Sequence, residues 1–377
     1  MRWWVLRASR VHRCLPVSPT DQATGSTLGA PAPSSPGAVA LRVREVIAET
    51  PDAKTIVFDA PGDQFSYRPG QFLTLRIPSD RTGSVARCYS LSSSPRHDDT
   101  LMVTVKRTVD GYGSNWLCDN IAAGQIIESL PPAGAFTPKD VDRDLLLVGA
   151  GSGITPLLSI MKTALLDGSG RVVLFYANRY PESVIFATQL RSLFGEYPER
   201  LTVVHWIESV QGLPTHLALR SVLQPYGDFE AFICGPKPFM QGARQALEQI
   251  GLPRARIHIE NFVSLSDDPF GHHGPPIVTA DSVEDKRDAA RVTVELHGAT
   301  HELAWPRSKT LIDVLLAHGV EAPYSCREGE CGSCQATVLS GQVEMANAGA
   351  LDEEDIADGL VLGCQAHPVS DHVAVEF

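Results

Sequence analysis

The sequence predicts a three-module chain: a small antiparallel β-barrel, an α/β domain with a parallel sheet, and a short α+β tail. Three observations predict it. Residues 39–139 are short β-branched or alternating runs divided by Gly, Pro and Asp. Residues 140–263 alternate apolar strands with helical stretches. Residues 290–377 carry four of the eight cysteines and most of the acidic excess. A length of 377 residues suits two or three domains.

Residues 1–38 stand apart. MRWWVLRASRVHR has four arginines and no acid, and a Thr/Ser/Gly/Ala/Pro stretch follows. The apolar run Trp3–Leu6 is too short for a signal-peptide core. The segment is expected to be a disordered extension or the product of a start codon assigned too far upstream; its composition also mimics a transit peptide. The barrel strands are VALRVREVIAE, KTIVFDA, QFLTLRIP, ARCYSLSS, LMVTVKRT and QIIESLPP. DLLLVGAGSGITPLLSIMKTALLDG then reads as strand, Gly-rich turn and amphipathic helix. RVVLFYANR, LTVVHWIES and EAFICGP are further strands, separated by helical PESVIFATQLRSLFGEY and THLALRSVL and followed by helical PFMQGARQALEQIG. IHIENFVS closes this domain, and residues 264–289, rich in Pro, Gly and charge, are expected to be a linker. The tail has strands RVTVELHG and HELAWP, a helix TLIDVLLAHG, a cysteine loop and closing strands.

With 43% apolar and 20% charged residues the chain is neither disordered nor collagen-like. No apolar run reaches the roughly 18–20 residues of a membrane helix, so a cytoplasmic protein without membrane contact is expected. A net charge of −12 argues against nucleic-acid binding. That charge is concentrated. Residues 291–377 hold 14 acidic and 4 basic side chains, a net of −10, against 30 and 28 in the first 290 residues, a net of −2.

Cys14, Cys88, Cys118 and Cys234 occur singly, unlike a secreted disulfide framework. The tail cysteines follow C-x4-C-x2-C, then 29 residues, then C. This is the plant-type spacing for a 2Fe–2S cluster, whereas zinc sites come as two short knuckles. Gly329, Gly332 and Ser333 let the loop backbone close in, so that N–H groups can point at the cluster sulfurs.

Arg87-Cys88-Tyr89-Ser90 lies on a strand. Arg87, Tyr89 and Ser90 could supply the cation, aromatic face and hydroxyl that a dinucleotide flavin requires. Gly113 and Ser114 belong to a glycine turn entering a helix, with Ser114 expected as its cap and the following amides as phosphate donors. Alone, R-x-Y-S also describes an alternating strand with a half-buried Tyr. Gly149, Gly151 and Gly153, with Thr155 just after, follow an apolar strand and open a helix, as a pyrophosphate site requires. Cys234-Gly235-Pro236 ends a later strand. Asn178-Arg179 and Glu182, near the ribose position, do not choose between NADH and NADPH.

The order barrel, Gly-rich turn and CGP resembles the ferredoxin–NADP reductase superfamily, with YRPGQFLTL, RCYSLSS and GYGSNWLCD similar to its flavin domain. The tail resembles a plant-type ferredoxin, a β-grasp fold. The resemblance implies FAD, with the backbone of Thr104, Val105 and Lys106 beside its ribityl and phosphate groups. It implies Cys234 beside the nicotinamide, Glu260 and Phe262 near the flavin, and Cys326, Cys331, Cys334 and Cys364 as cluster ligands. Ser90, Cys234 and Glu260 are the implied catalytic set, and Thr155 a nicotinamide-positioning residue. RCYSLSSSP, VGAGSGITPLLSI, CGPKPFMQGAR and CREGECGSC are most similar to the reductase components of actinobacterial 3-ketosteroid 9α-hydroxylases. The implied route runs from NADH, the coenzyme that precedent favours over NADPH, through FAD and the 2Fe–2S cluster to a Rieske-type terminal oxygenase docking on the acidic tail. The alternatives are another oxygenase partner (a phenylacetyl-CoA epoxidase, an alkane or an aromatic hydroxylase) or a redox-sensing protein. Nitric oxide chemistry is set aside, because no globin precedes the barrel.

Overall fold

A computed structural model describes residues 38–59, 65–262, 265, 269–270, 289–296, 298–320, 322–324 and 326–377. The expected extension and most of the expected linker lie outside these residues.

The barrel is built from β1 (Val39–Thr50), β2 (Ala53–Asp59), β3 (Phe72–Ser79), β4 (Gly83–Ser90), β5 (Thr100–Lys106) and β6 (Ile126–Ser129). Their order is β4-β3-β6-β1-β2-β5, every pair antiparallel. A bridge between Leu91 and Val103 joins the two outer strands and closes the ring. Closure removes the exposed edges an open sheet would present. Leu73, Leu75 and Ile77 alternate along β3 into the core, where they meet Leu41, Ile56 and Phe58. Helix α1 (Tyr112–Asn120) buries Leu117 and Cys118 in the same core.

The second domain has β7 (Leu145–Ala150), α2 (Ile154–Asp167), β8 (Val172–Asn178), α3 (Ala187–Glu196), β9 (Leu201–Ile207), α4 (Glu208–Gln211), α5 (His216–Leu223), β10 (Glu230–Cys234), α6 (Lys237–Gln249) and β11 (Ile257–Glu260). The sheet is parallel in the order β11-β10-β7-β8-β9. β7, β8 and β10 are buried along their whole length. Leu145, Leu147 and Leu174 face α2 and α3; Leu146, Val148 and Phe175 face α5 and α6. Coverage of both faces explains why these strands read as continuous apolar runs. The helix expected over PESVIFATQLRSLFGEY is shorter than predicted. Pro181–Ser183 makes a single 3-10 turn, Ile185 and Phe186 are drawn into the core with Phe186 at φ 62°, and α3 starts only at Ala187.

The tail contains β12 (Ala289–Leu296), β13 (Ala299–Pro306), α7 (Leu311–Ala317), β14 (Gln335–Ser340), β15 (Val343–Met345), α8 (Glu353–Ala357), β16 (Leu360–Leu362), β17 (Ala366–Pro368) and β18 (His372–Glu376). Its mixed sheet runs β13-β12-β18-β14-β16, with β12 and β18 parallel. α7 buries Leu311, Ile312 and Leu315 against Val292, Val294, Trp305 and Val375. This is the helix-on-mixed-sheet arrangement expected of a β-grasp tail. Leu265 and Phe270 fall within the expected linker, yet both are buried, clustered with Ala38, Ala86 and Cys326.

The turn Gly151–Gly153 between β7 and α2 approaches β10 so closely that a Cβ on Gly153 would stand 2.1 Å from the Cys234 carbonyl oxygen. Gly153→Ala is therefore expected to destabilise the protein by about 1–3 kcal/mol, the range for overpacking. Thermal unfolding checks it; an unchanged melting temperature would show that the turn yields freely.

Candidate functional site

Strand β4 carries the first cluster of predicted residues. Arg87 Nη1 bonds the Ala86 and Leu265 carbonyls at 2.6 and 3.2 Å. Its aliphatic stem lies across the start of α1, since a Cβ on Gly113 would meet Arg87 Cγ at 2.9 Å. The Arg87 stem and the first turn of α1 thus sit together, on the strand that carries Tyr89 and Ser90. Tyr89 is half-buried, with its phenol raised above the ordinary range by burial. Ser90 is buried, and among the described residues its hydroxyl has no hydrogen-bond partner. An orphaned buried hydroxyl needs a partner, and a flavin on this strand would provide one. A cavity of about 550 Å³, lined by Arg76, Pro78, Ser84, Trp116, Ile127 and Glu128, opens beside α1.

Ser114 is not the cap of α1, contrary to expectation. Gly111 takes that position, and Ser114 lies inside the helix, where its hydroxyl accepts the Thr108 N–H at 3.1 Å. Asp110, at φ 59°, bends the chain so that the hydroxyl closes the turn behind the helix. Thr104 and Val105 are buried in the barrel wall, with the Thr104 hydroxyl 2.8 Å from that of Thr55. Lys106 points elsewhere: its Nζ stands 4.0 Å from where a side chain on Gly151 would begin, and 3.5 Å from Asp52.

At the coenzyme turn, Gly149 is registered against Cys234, and Gly151 has φ 56°. An added Cβ at Gly153 would collide with the Cys234 backbone, so this close approach is available only to glycine; one at Gly149 would press on the Leu157 methyl. The Thr155 hydroxyl donates to the Ser152 carbonyl at 3.1 Å, so it braces the turn. Gly235 and Pro236 follow Cys234, and Pro236 precedes α6. Cys234 is registered against Glu260 on β11. Burial raises the Cys234 thiol, and nearby Glu260 raises it further. The same carboxyl also acts on Cys88; burial, with smaller effects of Cys326 and Glu260, pushes that thiol up to about 12. Glu260 itself is pushed up to about 8 by burial. Phe262 is exposed.

The four tail sulfurs converge. Cys326 meets Cys331 and Cys364, and Cys334 meets Cys364, whose N–H points at the Cys334 sulfur at 3.4 Å. The Glu328 N–H points at Cys326, also at 3.4 Å. Gly329, at φ 79°, permits this fold of the loop. Four converging thiols suit two irons, each taking two thiolates.

The cysteine loop lies against the barrel. Cys326 and Cys331 share an apolar cluster with Ala86, Cys88 and Leu130. The Gly151–Gly153 turn, Cys234, Glu260, Cys88 and Cys326 thus form a chain of neighbours that spans three modules. In the sequence Cys88 stands out only as a scattered single cysteine and the variable position of R-x-Y-S.

Residues 40–137 match the oxidoreductase FAD-binding domain family, residues 147–245 the oxidoreductase NAD-binding domain family, and residues 294–369 the 2Fe-2S iron-sulfur cluster binding domain family. The chain is 62% identical to the ferredoxin reductase component of 3-ketosteroid-9-alpha-monooxygenase from Rhodococcus rhodochrous, over 92% of this chain and 98% of that one. It is 34% identical to one of the subunits of 1,2-phenylacetyl-CoA epoxidase from Escherichia coli, over 89% and 97% respectively. Phthalate dioxygenase reductase, a modular structure for electron transfer from pyridine nucleotides to [2Fe-2S], shares the fold at a TM-score of 0.55 and 23% identity, covering 90% of this chain and 98% of that one. The protein is thus a flavin- and NAD-dependent iron–sulfur reductase. It belongs to the ferredoxin-reductase superfamily, among the oxygenase reductases with a C-terminal 2Fe–2S domain.

The shift at Glu260 carries a sign. Its ordinary value of 4.5 rises to about 8 in the folded protein. Between those values the unfolded chain binds fewer protons, so this group's effect on stability becomes more unfavourable as pH rises through the window, then levels off. Relative to the parent, Glu260→Gln should gain stability by about 1 kcal/mol or more between pH 5 and 8 and no further above it. A difference in melting temperature independent of pH would contradict the assignment.

Proposed function

We propose that the chain carries electrons from NADH, through FAD and its 2Fe–2S cluster, to a Rieske-type terminal oxygenase acting on 3-ketosteroids. The observation that supports this route most is the meeting of Cys88, Cys234, Glu260 and the cysteine loop, on the strand whose Ser90 hydroxyl has no partner among the described residues. When bound, a flavin accepts a hydride and releases its two electrons singly to a one-electron cluster. Ser90 would donate to the flavin ring, Arg87 and the α1 N-terminus would hold its diphosphate, and the cavity beside α1 has room for its adenosine. Gly149, Gly151 and Gly153 would cradle the coenzyme pyrophosphate. Lys106, placed beside Gly151, would add a cation there. Cys234, a neutral buried thiol, would pack against the nicotinamide and orient it, and Glu260, protonated at neutral pH, would be a donor beside both rings. Cys326, Cys331, Cys334 and Cys364 would hold the cluster.

NADH is preferred over NADPH on family precedent; at the end of β8, Asn178 is buried while Arg179 and Glu182 are exposed. The steroid assignment rests on 62% identity to a reductase of that system, against 34% for the epoxidase protein. A cytoplasmic location fits the scattered single cysteines, and among the described residues no helix is long and apolar enough to cross a membrane. The acidic tail would dock on a basic oxygenase surface.

Reconstitution with a Rieske-type oxygenase, NADH and a 3-ketosteroid should give steroid hydroxylation coupled to NADH use. Turnover only with a phenylacetyl-CoA epoxidase would move the protein to that system. Cys331→Ser should abolish electron transfer to cytochrome c and spare ferricyanide reduction; if both persist, the cluster is off the path.

A further inference from the structure

Among the described residues the tail module touches the rest of the chain through an apolar contact and an ionic one. One is the apolar contact of Cys326 and Cys331 with Ala86, Cys88 and Leu130. The other is ionic and lies on the second domain. Arg244, on α6, and Arg254, in the 3-10 turn just before β11, both reach the start of α8. Arg244 Nη1 bonds one carboxylate oxygen of Asp352 and Arg254 Nη2 bonds the other. Arg254 Nη2 also reaches Asp355 at 3.0 Å, and Arg254 pairs with Glu354. Glu248, 3.5 Å from Arg244 Nε, steadies that side chain from within α6.

The acids are fixed before they meet the arginines. Asp352 accepts the N–H groups of Glu354 and Asp355 at 3.0 and 2.9 Å, and Asp355 accepts the Asp352 N–H at 3.0 Å. This reciprocal box presents both carboxylates in one orientation. Burial disfavours the charge on Asp352, but the Asp355 N–H and the two guanidiniums hold its carboxyl down at about 2. The arginine side chains are only 29% and 26% exposed, so the pairs are partly shielded from salt and solvent.

We infer that Arg244 and Arg254 are positioning residues for electron transfer: they latch the iron–sulfur module to the coenzyme domain through Asp352, Glu354 and Asp355, so that the cysteine loop rests on β4 at Cys88. The inference rests on the route proposed above. The step is a single electron passing from the flavin, reduced by NADH, to the oxidised cluster; no bond to Cys88 forms or breaks. Transfer between two centres falls steeply with their separation, so the contact that fixes the separation fixes the rate. The apolar contact alone is small, and a tail released at α8 could pivot about it.

The test uses the full-length holoprotein. Arg244→Ala/Arg254→Ala is mixed anaerobically with NADH, and flavin bleaching and cluster reduction are followed separately. Flavin bleaching and ferricyanide turnover should match the parent, while cluster reduction slows about tenfold or more. Arg244→Lys/Arg254→Lys, which keeps both charges, should retain most of the parent rate at low salt. Molar salt should slow cluster reduction in the parent and change little in the alanine variant. Small-angle scattering should show a larger radius of gyration for the alanine variant than for the parent and the lysine variant. Parent-like cluster reduction and parent-like scattering in the alanine variant would overturn the latch. A parent lacking flavin or cluster absorption would instead overturn the underlying route, and the scattering comparison would still decide the latch.

Discussion

The relation between the two nucleotide-binding domains depends on one buried face of α2. That helix begins at the coenzyme turn, and its side chains bond the loop that leaves β4. Ser159 donates to the Ser93 carbonyl at 2.6 Å, Thr163 meets Ser94 at 3.1 Å, and the buried Lys162 ammonium is paired with Asp98. His97 reaches Asp167 at the end of the helix at 2.6 Å. A buried ammonium is tolerable only with such a partner. Because Ser93 lies three residues after Ser90, the turn at Gly151–Gly153 cannot slide relative to the flavin strand without breaking this set. The same loop is held from the barrel side by Tyr67, whose hydroxyl is 2.6 Å from that of Ser93.

With the two domains locked, the groups between them are held toward their neutral forms, Cys234 fully buried and Cys88 and Glu260 partly so. Cys234 and Cys88 are thiols rather than thiolates, and Glu260 carries a proton at neutral pH. All three shifts have burial as their first cause. A site built this way offers shape and hydrogen bonding rather than charge.

Much of this was legible from local chemistry. Strands sit where β-branched runs stand, and the four tail cysteines converge as their spacing demands. The glycines of the coenzyme turn lie where backbone meets backbone. The failures are equally local in cause. Ser114 looked like a helix cap because Ser is a good one, but the left-handed Asp110 moved the helix start and turned the hydroxyl back to Thr108. The stretch before α3 has helical periodicity, yet burial of Ile185 and Phe186 overrides it. Leu265 and Phe270 were hidden by polar neighbours. Arg244 and Arg254 carry no signal at all in one dimension. They lie about a hundred residues from Asp352, and only the packing of two domains gives them a role.

The box at the head of α8 has a consequence for how the tail meets anything else. Its acids belong to the same chain as the arginines they face, so the local concentration of one for the other is set by the chain rather than by the cell. Ion pairs too weak to hold a free ferredoxin can hold this one. A partner competing for the same carboxylates must first displace a neighbour that never diffuses away. A tail seen whole as ten negative charges therefore presents a smaller set to its surroundings while it is seated.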